Sequence, residues 1–139
     1  MAGYSATPLW KKLGYVTGAR VWTPGAPASY VKLLTLPADV NVTWLKQLEP
    51  GLKFVHLFTD EAAVLKKHLT QLRRGIAPDG VVWISWPKKT SGVPTDITED
   101  TIRTLCLPLG FVDIKVCAVD ETWSGLKFVV RLKDRLKDR

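Results

Sequence analysis

Two apolar runs, Leu52-Lys53-Phe54-Val55-His56-Leu57-Phe58 and Val81-Val82-Trp83-Ile84-Ser85, flank a segment of different period, and this arrangement constrains the fold more than any other feature of the chain. Between the runs, Ala62, Leu65, Leu69, Leu72 and Ile76 form one stripe at helical spacing, while Lys66, Lys67, Gln71, Arg73 and Arg74 occupy the other side. Asp60 and Glu61 suit the positive amino end of such a helix and Arg73 and Arg74 its negative carboxyl end. Pro78-Asp79-Gly80 predicts a turn back into the sheet. Runs that are apolar on both faces and joined by a helix predict neighbouring parallel strands with a right-handed crossover.

The remaining segments extend this unit. Pro8 to Gly14 predicts a short helix that stops at the glycine, and Ala19-Arg20-Val21-Trp22-Thr23 predicts a first strand entering the tight Pro24-Gly25-Ala26-Pro27 loop. Ser29 is placed to cap a short helix through Leu34, and Val40 to Leu45 alternates as a strand with one wetter face. Asp96-Ile97-Thr98-Glu99 has capping-box spacing for a helix that turns Ile102, Leu105, Cys106 and Leu109 inward. Phe111 to Val119, a turn over Asp120 to Gly125, and Leu126 to Arg131 predict a closing hairpin. The expected architecture is one three-layer α/β domain over residues 1–139, its mostly parallel twisted sheet ending in an antiparallel hairpin, with a short basic tail at about 132–139.

A length of 139 residues, 46% of them hydrophobic, suits one domain with its own core. The 20 Lys and Arg residues exceed the 13 Asp and Glu residues, and the formal charge of +7 favours anionic partners. Cys106 and Cys117 lack the spacing of a metal or redox motif and read as small buried residues, so no metal is expected. The amino terminus lacks the pattern of a secretory signal and no apolar run is long enough to span a bilayer. The expectation is a cytoplasmic protein with reduced thiols and no membrane partner.

The candidate site lies where Trp86-Pro87 leaves the second run and opens a loop dense in lysine, hydroxyls and glycine. Lys88, Lys89, Ser91, Gly92 and Thr95 have the chemistry of an anion cradle: ammonium charges, hydroxyl donors, and a backbone that a ligand can approach. The order is not that of a Walker loop, and a solvated connection is the plain alternative. At the carboxyl edge of the sheet, Gly25 from the first loop and Asp120 and Trp123 from the hairpin join the candidates. In the functional reading a hairpin carboxylate pairs with Lys88 or Lys89 across a pocket walled by Trp123; in the plain reading Asp120 and Trp123 only shape a turn. Trp86 and Trp123 are placed to stack on a planar ring, and His56 and His68 read as histidines at the edge of the core.

Two blocks carry a family resemblance: Trp86-Pro87-Lys88-Lys89 with Ser91-Gly92 and Thr95 to Asp100, and Val116 to Lys127. With the opening Gly3-Tyr4-Ser5, they resemble the signature of a family of small bacterial proteins of unknown function, which implies no reaction, substrate or catalytic residue. The order of elements is also similar to a reduced, Rossmann-like version of the S-adenosylmethionine-dependent methyltransferases. In those enzymes a glycine-rich loop follows the first strand and an acidic residue ending the second holds the ribose. Here the loop offers only Gly25 between prolines, and the second strand ends Trp44-Leu45-Lys46.

No complete catalytic or cofactor motif is present, so no cofactor is expected. The first functional expectation is therefore binding of an anionic or phosphate-bearing small molecule at the carboxyl edge, without demonstrated catalysis. An interaction protein for an acidic protein or a nucleic acid is the alternative, and a degenerate S-adenosylmethionine-type transferase the third.

Overall fold

The central unit forms as its pattern predicts. In the computed structural model, which describes residues 7–135, β3 (Leu52–Phe58) and β4 (Ile76–Pro87) lie parallel and α3 (Ala62–Gly75) crosses between them. Leu65, Leu69 and Leu72 of α3 are fully buried against the sheet, which is where the helical stripe directs them. Gly3-Tyr4-Ser5 and the tail residues 136–139 lie outside the described residues.

The other elements are α1 (Leu9–Leu13), β1 (Ala19–Trp22), α2 (Tyr30–Leu34), β2 (Val42–Leu45), α4 (Glu99–Cys106), β5 (Phe111–Ala118), β6 (Trp123–Val130) and α5 (Leu132–Arg135). Among the described residues six strands form one sheet in the order β2-β1-β3-β4-β6-β5. Only β6 runs against the rest, between β4 and β5, which is the antiparallel closure expected of the terminal hairpin.

Two cores make three layers. On one face Leu65, Leu69 and Leu72 of α3 and Ile102 and Cys106 of α4 pack on Val55, Leu57, Val82, Ile84 and Phe128. On the other, Leu13 of α1 and Tyr30 and Leu34 of α2 pack on Val21, Phe58 and Trp83. Trp83 also anchors α1, because its Nε1 donates to the Leu13 carbonyl at 2.8 Å inside the core. Among the described residues, no helix is long and apolar enough to cross a membrane.

Several local expectations change. Pro78-Asp79-Gly80 is not a turn before the strand: β4 starts at Ile76, and the register jumps from Leu52 opposite Ile76 to Phe54 opposite Val81. The additional residues form an irregular bulge. Gly80 fits there because a Cβ would overlap the Ile76 side chain. Ile76 therefore belongs to the strand and not to the helix stripe. Ser29 precedes α2 but makes no side-chain cap. Asp96 does not cap the helix that follows it. Thr98 does, in a reciprocal box with Thr101, which frees the Asp96 carboxylate for α3. Finally, β6 begins at Trp123, so the hairpin turn is shorter than Asp120 to Gly125.

Candidate functional site

Four of the loops at the carboxyl ends of the parallel strands, those after β1, β3, β4 and β5, are tied to one another. The chain leaves β1 toward β2 on one side and β3 toward β4 on the other, so the switch point of the sheet lies between β1 and β3. The loop after β1 folds across this point. The Phe58 amide donates to the Pro24 carbonyl at 2.9 Å, and Gly25, at φ +76°, packs so closely that a Cβ would land on the Phe58 carbonyl oxygen. Glycine is required there both for its left-handed backbone and for its lack of a side chain.

The loop after β4 is held at both ends. The Lys88 amide donates to the Thr122 carbonyl of the hairpin turn at 2.8 Å. At the far end, Thr95 Oγ1 donates to the Asp60 carbonyl at 2.7 Å and Asp96 Oδ1 accepts from the Ala62 amide at 2.8 Å. That last bond satisfies an amide in the first turn of α3 and places negative charge at its positive end. The capping group comes from a distant loop, not from Asp60 or Glu61.

This arrangement assigns tasks to the predicted site residues. Ser91 Oγ donates to the Lys88 carbonyl at 2.6 Å and accepts from the Val93 amide, stabilising the short 3₁₀ turn Lys89–Ser91. Gly92 ends that turn in the left-handed conformation. Asp120 Oδ1 accepts from the Thr122 and Trp123 amides at 2.8 and 2.7 Å, the hydrogen bonding of an Asx turn. Trp86 is not a surface platform: it is 6% exposed and belongs to the core under α3 and α4. The physical reason is its even position in β4, which it shares with Val82 and Ile84. Trp123 is half-buried with its ring edge-on at 5.2 Å to Phe58, the residue on which Gly25 packs.

Lys88 and Lys89 thus supply the ammonium charge of the loop, and neither has a carboxylate within 4 Å among the described residues. Their surroundings are acidic. Asp60, Glu61, Asp96, Asp120 and Glu121 stand in the loops of this edge against Lys46, Lys88 and Lys89, and Asp60, Glu61 and Asp96 border an open depression. The positive excess of the chain therefore lies elsewhere on the molecule.

A polar chain runs through the interior below this edge. Ser85 Oγ lies 2.7 Å from His56 Nε2, His56 Nδ1 lies 2.6 Å from the Tyr30 hydroxyl, and that hydroxyl lies 2.7 Å from the Tyr15 hydroxyl. His56 and Ser85 are completely buried and both tyrosines nearly so. Burial lowers the His56 pKa to about 3 and raises both tyrosines well above their ordinary value, so the chain is neutral. A serine bonded to a histidine has the local form of a nucleophile and its base, but here the third member is a phenol and the Ser85 hydroxyl is completely buried. Each side chain satisfies its neighbour, so the chain fixes the packing of β3, β4 and α2. His56 was expected at the core edge and Ser85 only as a strand residue. The available signal was His56 in one apolar run and Ser85 in the other, which adjacent pairing brings to the same face.

His68 is half-buried, edge-on to Trp22 at 5.5 Å, and its pKa is lowered by burial and by Lys67. At the opposite, amino edge of the sheet, a hollow of about 590 Å³ is floored by Phe54 and Ala19 and crossed by an Arg20 to Glu49 ion pair at 2.7 Å. Among the described residues, no group of three or more His, Cys, Asp or Glu side chains is arranged to hold a metal ion.

No family model and no curated protein matches this chain. Solved structures do. A S-adenosylmethionine-dependent methyltransferase from Aquifex aeolicus superimposes with a TM-score of 0.62 at 16% identity, covering 86% of this chain and 87% of its own. The precorrin-6y C5,15-methyltransferase of Geobacter metallireducens gives 0.57 at 11% identity, over 86% and 84% of the two chains. Fibrillarin of Aeropyrum pernix, solved with bound S-adenosylmethionine, gives 0.54 at 14% identity, over 88% and 69%. The chain has a Rossmann-like fold similar to that of these methyltransferases; its own sheet is mostly parallel, with the antiparallel β6 set between β4 and β5.

Proposed function

We propose that this protein is a binding module on a methyltransferase scaffold, that its partner is anionic, and that it does not work through S-adenosylmethionine. The observation that carries the reading is the packing of Pro24 and Gly25 onto Phe58, which fills the switch point with the protein's own backbone. A cofactor entering there would have to displace the hydrogen bond from Phe58 to Pro24.

The second requirement of the resemblance also fails to fit. After β2 the chain continues Lys46-Gln47-Leu48, and the next carboxylate, Glu49, pairs with Arg20 at the other edge of the sheet. The residues present therefore do not suit the cofactor, and no reaction step is derived through it. Fold likeness alone assigns no chemistry.

A formal charge of +7 supports the reading of an anionic partner. Calorimetric titration with S-adenosylhomocysteine tests the reading: no binding heat is expected at millimolar ligand, and a dissociation constant in the micromolar range overturns it. A specific observation favours a second reading, a small phosphate-bearing ligand at Lys88 and Lys89, because among the described residues neither ammonium group has a carboxylate within 4 Å. A thermal-shift panel of nucleotides and phosphorylated metabolites tests that. Ligand at a hundredfold its dissociation constant adds about 2.7 kcal/mol, and the double variant Lys88→Ala/Lys89→Ala loses the shift.

A further inference from the structure

We infer that the face formed by α1, β5 and β6 binds the phosphate backbone of a nucleic acid. The inference rests on the reading of an anionic partner and names its surface, which lies on a different part of the molecule from the Lys88 loop.

Lys115 of β5 and Lys127 of β6 are directly paired across the strands. Both project toward the α1 face, because the same row continues to Trp83, whose indole bonds α1. Like charges directly opposite each other in a sheet repel, and no carboxylate lies within 4 Å of either ammonium among the described residues.

The α1 helix adds to this charge instead of neutralising it. Lys115 Nζ donates to the Lys12 carbonyl at 3.2 Å, which brings it beside a second lysine, and both ammonium groups act electrostatically on the Cys117 thiol beneath them. On the same helix the Lys11 ammonium lies over the Trp10 ring, 5.4 Å from its centroid. The result is Lys12, Lys115 and Lys127 on one face, one of them fastened to a helix end. The nearby Asp113 faces the other layer, where Arg103 holds it at 3.2 Å.

Closely grouped ammonium groups without countercharge fit a partner whose charges are equally close, as phosphates are along a nucleic-acid strand. An ordinary alternative exists for one member, since lysine on an edge strand discourages sheet extension and β5 is an edge. It does not account for Lys127, which lies on an internal strand.

The test is fluorescence anisotropy of a labelled random-sequence single-stranded DNA oligonucleotide, titrated with the full chain at several salt concentrations. The variant Lys115→Gln/Lys127→Gln is expected to bind roughly 25-fold more weakly at 0.1 M salt, with the salt slope reduced by about 1.4, the amount for two lost phosphate contacts. Lys66→Gln/Lys67→Gln on the opposite face makes the same change of net charge and should alter binding far less. Equal losses in the two variants overturn the assigned face while leaving the anionic reading intact; no binding by the unaltered protein overturns this inference, and if the thermal-shift panel is also blank the anionic reading falls with it. Displacement of the oligonucleotide by poly-glutamate at equal charge concentration contradicts the choice of nucleic acid over an acidic protein. Unchanged affinity with new self-association in Lys115→Gln/Lys127→Gln assigns these lysines to edge protection and overturns the proposal.

Discussion

Replacing His56 with Asn should flatten the dependence of stability on pH between 7 and 5. In the native protein burial holds the imidazole at a pKa of about 3, whereas in the unfolded chain an ordinary histidine titrates near 6.5. The unfolded state therefore binds the proton first as pH falls. Stability from the neutral, buried ring is fully present above about pH 6.5 and is lost as pH drops toward 3. One proton corresponds to about 1.4 kcal/mol per pH unit, and integrating from pH 7 to 5 gives a loss of about 2 kcal/mol. His68 is shifted in the same direction, so the comparison is made in a His68→Gln background. The assay is the urea midpoint at pH 7, 6 and 5, a window above the range where ordinary carboxylates titrate. Equal pH dependence with and without His56 would refute the sealed neutral chain, as would an imidazole proton signal that titrates in the folded protein between pH 8 and 5.

Two substitutions test how the loops of the carboxyl edge are joined. Gly25→Ala should cost about 2 kcal/mol or more, the left-handed backbone alone accounting for roughly 1–2, and Gly51→Ala, at φ +79° with no atom within 4 Å of the new Cβ, should show only that conformational part. Equal chemical-denaturation losses at the two positions would contradict the packing of Gly25 on Phe58. Asp96→Ala removes the acceptor for the Ala62 amide and should cost about 1 kcal/mol, with faster hydrogen exchange at the start of α3; unchanged exchange there would mean that Asp96 does not hold the helix.

Periodic patterns that are strong enough to override local detail were legible in the sequence. The β3, α3 and β4 unit follows from two apolar runs around one amphipathic stripe, and the closing hairpin from its turn between β-branched runs. Boundaries were less so. Ile76 fits the helix stripe by spacing yet starts a strand, because pairing with Leu52 outweighs one more helical turn. Asp96 has capping-box spacing to Glu99, but its carboxylate acts on a helix earlier in the chain, a choice that depends on which loops meet.

The candidate site shows the same division. Its position at the carboxyl edge followed from strand type, while the tasks of its residues depended on three-dimensional neighbours. Ser91, Thr95 and Asp120 offer ligand chemistry in sequence and use it on their own backbone. The distribution of charge was hidden for a similar reason. The bulk excess of Lys and Arg is readable, but the grouping of Lys12, Lys115 and Lys127 requires the pairing of β5 with β6 and the docking of α1.

The central claim is that this scaffold meets its partner elsewhere than at the closed switch point. Amide chemical-shift mapping tests it most directly, with S-adenosylhomocysteine and a single-stranded oligonucleotide titrated separately into one labelled sample. The account predicts oligonucleotide-dependent shifts at Lys12, Lys115, Cys117 and Lys127, and no shift at Gly25, Phe58 or Thr59 with S-adenosylhomocysteine. Saturable shifts at Gly25 and Phe58 with S-adenosylhomocysteine, and none on the α1 face with the oligonucleotide, would contradict it.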